Sequence, residues 1–365
     1  MSEFRGHILV TGGMGYIGSH TCVLLVAAGW RVTIIDNLAN SNAECLARVN
    51  RITGRPDAVA FEQCDLRDRA ALARIFGAAR AAAPAGRAPF DATIHFAAFK
   101  AVGESREKPL EYYDNNVSGS VALLQTMAAH DCKRIIFSSS CTVYGEAESP
   151  LSEQSAAGQG LTNAYATTKW MMETILRDLQ RCDPAWSVVI LRYFNPVGAH
   201  PSGLIGEDPR GVPNCLLPFM LQVLVGRRER LTVNGNDYPT RDGTCVRDYI
   251  HVMDVAQGHI DAMEWLAKQL ARQGAPPGLC DVFNFGTGNG TTVLELMHAM
   301  ERAAGKPVVH VIGPRRAGDL AMAYANPSKA ASELGWSCKN SLDDICRDSW
   351  KWASENPFGY DSKAV

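Results

Sequence analysis

The sequence predicts an α/β fold, a doubly wound parallel sheet followed by a smaller mixed α/β domain. Three observations carry this. Short apolar runs alternate with helix-length segments through the first half of the chain. A glycine-rich turn follows the first of those runs. After Asn195 the alternation fades while Pro and Gly increase, in NPVGAHPSG and GEDPRGVPN. The expected organisation is a nucleotide-binding domain over residues 1–195, a substrate domain over 196–355 with some segments returning to the first domain, and a tail over 356–365. A length of 365 residues suits two domains.

The strands are read from HILVT (7–11), RVTIID (31–36), DATIHFAA (91–98), RIIFSSS (134–140) and VVILRYFN (188–195). Each is rich in Val, Ile or Phe and almost continuously apolar, the pattern of parallel strands buried on both faces. SHTCVLLVAAG and SGSVALLQTMAAHD lie between them at helical length. The stretch 70–90 predicts a helix from Arg69 to Ala82, then a mobile surface loop through Pro89. GHIDAMEWLAKQLARQ (258–273) and LELMHAMERAAG (294–305) read as amphipathic helices of the second domain. The tail after Asn356 is expected to be loosely ordered.

Composition narrows the functional classes. Lys and Arg total 36 against 38 Asp and Glu, a formal charge of −2. That leaves no excess of cations to neutralise a nucleic-acid backbone. Hydrophobic residues at 46% and charged residues at 20% are ordinary for a soluble globular protein. No run of 18 apolar residues predicts a membrane span. MSEFRGHILVTGG enters a strand directly, without the pattern of a secretory signal. Eleven cysteines include no CxxC and no zinc-like spacing with His. They read as reduced cytosolic thiols, with Cys141 and Cys245 as small apolar packers and no metal site.

The first strand runs into Gly12, Gly15 and Gly18, spaced three apart, and a helix follows. Glycines there let the backbone approach a pyrophosphate, and the helix start offers free N–H groups and a positive dipole end. This is the pattern of a Rossmann-like sheet. Asp36 ends the second strand 18 residues after Gly18. A carboxylate in that place accepts from both adenosine ribose hydroxyls and repels a 2′-phosphate, so NAD is expected rather than NADP. Asp65 reads either as an adenine contact or as a helix N-cap.

Tyr165 and Lys169 in NAYATTKWMMETIL are four residues apart and share a helix face. An ammonium beside a phenol, together with a cationic nicotinamide, is expected to lower the phenol pKa and make a base. RIIFSSS delivers Ser138, Ser139 and Ser140 to the carboxyl edge of the sheet, where ligands bind in open α/β folds. Ser140 is expected to orient a substrate hydroxyl beside that base.

Taken in order, the glycine turn, the strand-end serine and Tyr-x-x-x-Lys resemble the extended short-chain dehydrogenase/reductases. The strings HFAAFKAVGES, KPLEYYDNNV, FSSSCTVYG, LRYFNPVGAHPSG, GEDPRGVPN, GNDYPT, DGTCVRDYIHVMD and RRAGDLA narrow the resemblance to the UDP-glucose (UDP-galactose) 4-epimerase family, over about Ile8 to Trp352. The resemblance implies Ser140, Tyr165 and Lys169 as catalytic residues. Around NAD it implies Gly12, Gly15, Tyr16, Ile17, Gly18, Asp36, Asn37, Asp65, Leu66, Phe96, Ala97, Lys100, Asn115 and Tyr193, besides Tyr165 and Lys169. For the UDP-sugar it implies Lys100, Ser140, Tyr165, Asn195, Asn214, Leu216, Asn234 and Ala323, with Arg247, Arg316 and Asp319 on the diphosphate and uridine ribose. Tyr193, Phe194 and Asn195 fall on the nicotinamide and sugar-diphosphate side of the cleft. A homodimer through helices around 105–131 and 163–181 is implied as well.

The chain departs from the family pattern in places. Asn234 stands where an aromatic usually precedes GNDYPT. PNCL replaces PNNL at Cys215, DGTC replaces DGTG at Cys245, and HFAA replaces HFAG at Ala98. YATTK stands in place of the commoner YGKSK. These touch substrate affinity rather than reaction type. Ala323, four residues after Asp319, stands where a Tyr closes the sugar pocket, so N-acetylated sugars are expected to fit. The implied reaction is reversible C4 epimerisation through a 4-keto sugar and tightly bound NAD, with Lys169 holding the nicotinamide ribose. A 4,6-dehydratase would need an Asp-Glu pair after the serine, and 140–144 carries no carboxylate. A uronate epimerase or decarboxylase is the softer rival. A non-catalytic NAD-binding sensor would be expected to lack Tyr165 or Lys169.

Overall fold

The computed structural model describes residues 4–316 and 318–361. The first half runs β1 (His7–Thr11), α1 (Tyr16–Ala27), β2 (Arg31–Asp36), α2 (Glu44–Thr53), β3 (Val59–Gln63), α3 (Arg69–Ala82) and β4 (Ala92–His95). It continues through α4 (Val102–Glu107), α5 (Pro109–Tyr113), a π-helical turn over Asp114–Ser118 and α6 (Gly119–Ala129). Then come β5 (Arg134–Ser140), α7 (Ala164–Cys182) and β6 (Ser187–Tyr193). The second half contains β7 (Asn195–Val197), α8 (Leu216–Leu224), β8 (Leu231–Asn234), β9 (Val246–Arg247), β10 (Tyr249–His251) and α9 (Val252–Leu270). It ends with β11 (Cys280–Phe285), β12 (Thr291–Thr292), α10 (Val293–Ala304), β13 (His310–Gly313), β14 (Met322–Ala323) and α11 (Leu342–Glu355).

Seven strands form one parallel sheet in the order β11-β6-β5-β4-β1-β2-β3. Its helices cover both faces, as continuous apolar strands require. On one face Ile8, Val10, Ile34 and Ile94 pack with Cys22 and Leu25 of α1, Val49 of α2 and Val255 and Leu266 of α9. On the other, Leu9, Ile135 and Ile190 pack with Phe76 of α3, Leu123 of α6 and Leu176 of α7. A separate cluster joins α8, α10 and α11 through Met220, Met297 and Ile345. The strand order reverses between β4 and β1, which opens a crevice at the carboxyl edge of the sheet.

Several sequence expectations are corrected. The strand read over 91–98 stops at His95, and the fifth strand ends at Tyr193 before β7 pairs separately with β10. The helix read over 258–273 runs Val252–Leu270 and packs on α1, so it belongs to the first apolar cluster. Its strand β11 completes the main sheet beside β6. The tail is docked as far as Asp361: Tyr360 is 9% exposed, its ring lies 5.0 Å from Trp352, and Arg48 sits 5.0 Å above it. Residues 362–365 of that expectation lie outside the described residues.

Candidate active site

The glycine turn is built by close approach. Gly12 has φ +70°, and a Cβ on it would stand 2.6 Å from the Ala97 nitrogen. A Cβ on Gly18 would stand 2.4 Å from the Gly12 oxygen. No larger residue fits either place without moving backbone. Gly15 caps α1 without a side chain, so the first-turn N–H groups at Tyr16 and Ile17 have no side-chain acceptor. These groups, Gly12 and the neighbouring Phe96–Ala97 backbone form a cradle for a diphosphate at a helix start.

Asp36 closes this end of the crevice. Its carboxylate accepts from Met14 N at 3.1 Å, Leu38 N at 2.9 Å and Ser41 Oγ at 2.8 Å. Burial raises its pKa, and these three donors oppose the rise. Asn37 donates to Asp65 at 2.9 Å. Asp65 also accepts from the Arg67 backbone and guanidinium, which hold its carboxyl well below the usual range. The helix cap that Asp65 was one candidate for belongs to Asp68, which accepts from Ala71 N. Leu66 is buried against the α3–α6 side of the sheet.

The three residues expected to be catalytic gather at the end of β5. Ser140 is 7% exposed and caps the short turn Cys141–Tyr144, accepting from Thr142 N at 3.2 Å and Thr142 Oγ1 at 3.0 Å. The hydroxyl lies near enough to the Tyr165 phenol to favour its ionised form. α7 starts at an Asn163 cap and carries Tyr165 and Lys169 on one face. Lys169 Nζ donates to the Ser138 carbonyl at 2.6 Å and lies 5.9 Å from the Tyr165 ring centroid. Burial pushes the Tyr165 phenol up to about 12, against the Ser140 hydroxyl and the Lys100 charge. Lys169 is committed to Ser138, and its own pKa is driven to about 7 by burial while Glu173 opposes the fall.

Lys100 lies on the same cleft, paired with Glu207 at 2.6 Å and 5.7 Å from the Tyr16 ring centroid. Burial lowers its pKa, and the Glu207 carboxylate more than reverses this. Tyr193 Oη is 2.5 Å from His259 Nε2. His259 Nδ1 faces the Val255 carbonyl at 2.8 Å, so it carries the ring proton and Tyr193 donates to Nε2. Phe96 packs on the same imidazole.

Across the crevice, Arg247 Nη1 donates to the Val246 and Leu320 carbonyls at 2.8 and 2.9 Å. Its Nη2 is 3.8 Å from Asp319, which Arg316 meets at 2.7 Å. Ala323 on β14 is in register with Arg247 on β9. Asn195 pairs with Tyr249 and takes the Asp248 carbonyl. Asn214 and Cys215 are exposed just before α8, which begins at Leu216. Asn234 ends β8 exposed, opposite Gly313 and apart from these contacts. Cys141 and Cys245 sit among packed side chains.

Sequence reasoning passed over several residues that brace the site. Asn116, beside the predicted Asn115, is 3% exposed and ties Phe99 to Thr168 on α7. It lies in the π-helical turn, a feature that periodicity does not reveal. His95 bridges Thr11 at 2.6 Å and Ser120 at 2.8 Å. Asp248, fully buried, accepts from Thr287, Gly288 and Ala325. Glu173 and Glu207 are single acidic residues inside strings that were read only as strings.

The family model for GDP-mannose 4,6 dehydratase matches residues 9–349. UDP-glucose 4-epimerase 2 of Arabidopsis thaliana is 52% identical over 98% of this chain and 97% of its own length. The chain belongs to the UDP-glucose 4-epimerase family. Among solved structures, the UDP-glucose 4-epimerase of Bifidobacterium longum in complex with NAD+ and UDP matches with TM-score 0.88 and 46% identity, over 97% of this chain and 99% of that one. The UDP-Glc/GlcNAc 4-epimerase of Campylobacter jejuni matches with TM-score 0.79 and 32% identity, over 96% and 99%. Within this family the crevice described above falls at the sheet's carboxyl edge, where α/β folds bind their ligands. No helix among the described residues is long and apolar enough to cross a membrane.

Proposed function

We propose that this protein interconverts UDP-glucose and UDP-galactose at C4 of the sugar. The observation that carries the reading is the junction of Ser140, Tyr165 and Lys169 at the carboxyl edge of the sheet whose first strand ends in the glycine cradle, with Arg247, Arg316 and Asp319 forming a separate charged cluster. NAD fits the cradle: Gly12 and Gly18 admit no side chain, α1 offers free N–H groups, and Asp36 stands at the ribose end. When bound, NAD supplies the acceptor for a hydride from C4 and returns it to the opposite face.

The chain's own groups supply the rest. Tyr165, as phenolate, takes the proton of the 4-hydroxyl and later gives it back. Ser140 bridges that hydroxyl and the phenol. Lys169 holds the nicotinamide ribose, and Lys100 and Asn115 face the cofactor. Arg247 and Arg316 hold the diphosphate, a task suited to planar guanidinium groups. Asp319 takes the uridine ribose. The 4-keto sugar stays tethered through these contacts while it turns. The short turn Cys141–Tyr144 carries no carboxylate, which sets this reading ahead of a dehydration.

Ala323 beside Arg247 leaves the sugar end open, so UDP-N-acetylglucosamine and its C4 epimer are included as substrates. Eleven unpaired thiols suit a reducing cytoplasm. Leu110 on α5 is 80% exposed and Met171 on α7 is 37% exposed, which supports a homodimer through these helices. The test is to incubate purified protein, without added cofactor, with UDP-galactose and with UDP-N-acetylgalactosamine, and to quantify the C4 epimers by NMR. Conversion of both is expected. Conversion of UDP-galactose alone would discard the open-pocket argument. Conversion of neither, even with NAD added, would overturn the epimerase reading.

A further inference from the structure

One buried charge lies directly behind the catalytic residues and has no part in the chemistry derived above. Glu173 is one helical turn beyond Lys169 on α7 and is fully buried. A carboxylate in such a place requires partners, and Glu173 accepts four hydrogen bonds from three residues. Its Oε1 accepts from Ser139 Oγ at 2.5 Å and from Arg192 Nε at 2.9 Å. Its Oε2 accepts from Arg192 Nη2 at 2.6 Å and from Arg177 Nη2 at 2.8 Å.

The partners sit at telling positions. Ser139 immediately precedes Ser140 on β5, and Arg192 immediately precedes Tyr193 on β6. Arg192 is 2% exposed and its guanidinium lies 4.7 Å from the Tyr144 ring centroid, in the turn that Ser140 caps. Tyr144 continues the chain of contacts to Asn284 on β11 at 2.6 Å. One carboxylate thus joins the helix bearing Tyr165 and Lys169 to the two strands bearing Ser140 and Tyr193.

We propose that Glu173 is a positioning residue: it fixes the Tyr165–Lys169 face of α7 against the ends of β5 and β6, and it sets a negative charge one helical turn from Lys169. This rests on the epimerase reading. At i and i+4 the two side chains are helix-face neighbours, roughly 5–6 Å apart at Cβ. Lys169 is otherwise surrounded by the Phe137 ring and Ser138 carbonyl of β5, by Tyr165 of its own helix and by His95 of β4. Of these only Tyr165 can become an anion, and it does so as the base of the reaction, so Glu173 is the one carboxylate among them. Around Glu173 the charged neighbours are Arg177 and Arg192, and the Cys280 thiol of β11 feels its charge.

The test compares the pH dependence of kcat and KM for UDP-galactose in the wild type, Glu173→Gln and Glu173→Asp. Activity that needs a charged Lys169 is lost as pH rises through the lysine pKa. Removing the neighbouring anion lowers that pKa, so in Glu173→Gln the alkaline limb moves to lower pH by a unit or more. At pH 8 that is a loss of about tenfold in kcat, with KM changed less than twofold. Glu173→Asp keeps the charge and is expected to restore the limb while leaving kcat below wild type. Glu173→Gln leaves Arg192 buried and uncompensated. If it is recovered unfolded, Glu173→Gln/Arg192→Met removes both charges together and carries the same expectation. A folded variant with the wild-type pH profile and only a lower Tm overturns the positioning role. A wild type inactive on UDP-galactose overturns the epimerase reading, and this proposal with it.

Discussion

Lys100 Nζ stands 2.6 Å from Glu207 Oε1, with 52% of the lysine side chain and 13% of the glutamate side chain exposed. The pair brings the loop after β4 to the segment before α8, so both flanks of the crevice share one contact. The Lys100 charge also opposes the rise of the Tyr165 pKa. Lys100→Met is therefore expected to move the acidic limb of the kcat profile to higher pH. At pH 7, one unit of movement lowers turnover roughly tenfold. A profile identical to wild type would show that this charge does not reach the phenol.

Ser140→Ala tests the bridge to Tyr165. The hydroxyl caps one four-residue turn, so its loss costs about 1 kcal/mol of stability and leaves the fold intact. The same hydroxyl favours the ionised form of the Tyr165 phenol. Turnover of UDP-galactose is expected to fall by roughly 10²- to 10⁴-fold. An equal fall in Tm-matched Ser139→Ala would assign the effect to packing instead, because Ser139 faces Glu173 and not Tyr165.

The docked C-terminal segment invites a stability measurement. Tyr360 packs on Trp352 under the Arg48 guanidinium, and its backbone donates to Asp208 at 2.9 Å. Truncating a buried aromatic leaves a cavity, so Tyr360→Ala should cost about 3 kcal/mol in denaturant unfolding. A cost within about 0.5 kcal/mol, the range of an exposed position, would mean that the segment does not hold in solution.

These residues mark where sequence was and was not legible. Five strands from HILVT to VVILRYFN were readable because parallel burial on both faces leaves a continuous apolar run, whereas the edge strand β3, VAFEQ, is half exposed and carries no such run. α3 was read at its true ends because Asp68 caps it and Pro84 follows. α9 kept its helical period but not its domain, since an amphipathic face does not name the surface it packs on. Tyr360 was misread because composition at a chain end does not register one aromatic finding Trp352 across 8 residues. In the crevice, motif spacing located Gly12, Ser140, Tyr165 and Lys169. The partners Asn116, His95, Glu173 and Asp248 act largely through hydrogen bonds to residues distant in the chain, and those leave no period in the sequence.

Three buried histidines make the fold acid-sensitive. His20 and His259 are fully buried and His95 is 2% exposed. Burial drives each pKa down to about 3, with Lys169 adding to the fall at His95. In the unfolded chain the same rings titrate near 6.5. Between about pH 6.5 and pH 3 the unfolded state binds these protons and the folded state does not, so stability falls as pH falls through that window. Each ring contributes roughly 1.4 kcal/mol per pH unit once below its unfolded pKa. Three together approach about 4 kcal/mol per unit, enough to exhaust a typical folding stability of about 5–15 kcal/mol before the folded-state values are reached. Denaturant midpoints measured from pH 7 to pH 4 should therefore drop steeply below about pH 6. His259→Phe keeps the ring volume and removes one titrating site, though it also leaves the Tyr193 hydroxyl without its acceptor. Its absolute stability should be lower at pH 7, while its slope against pH should be about one third shallower. An unchanged slope would mean that His259 is protonated in the folded state, with Tyr193 no longer its donor.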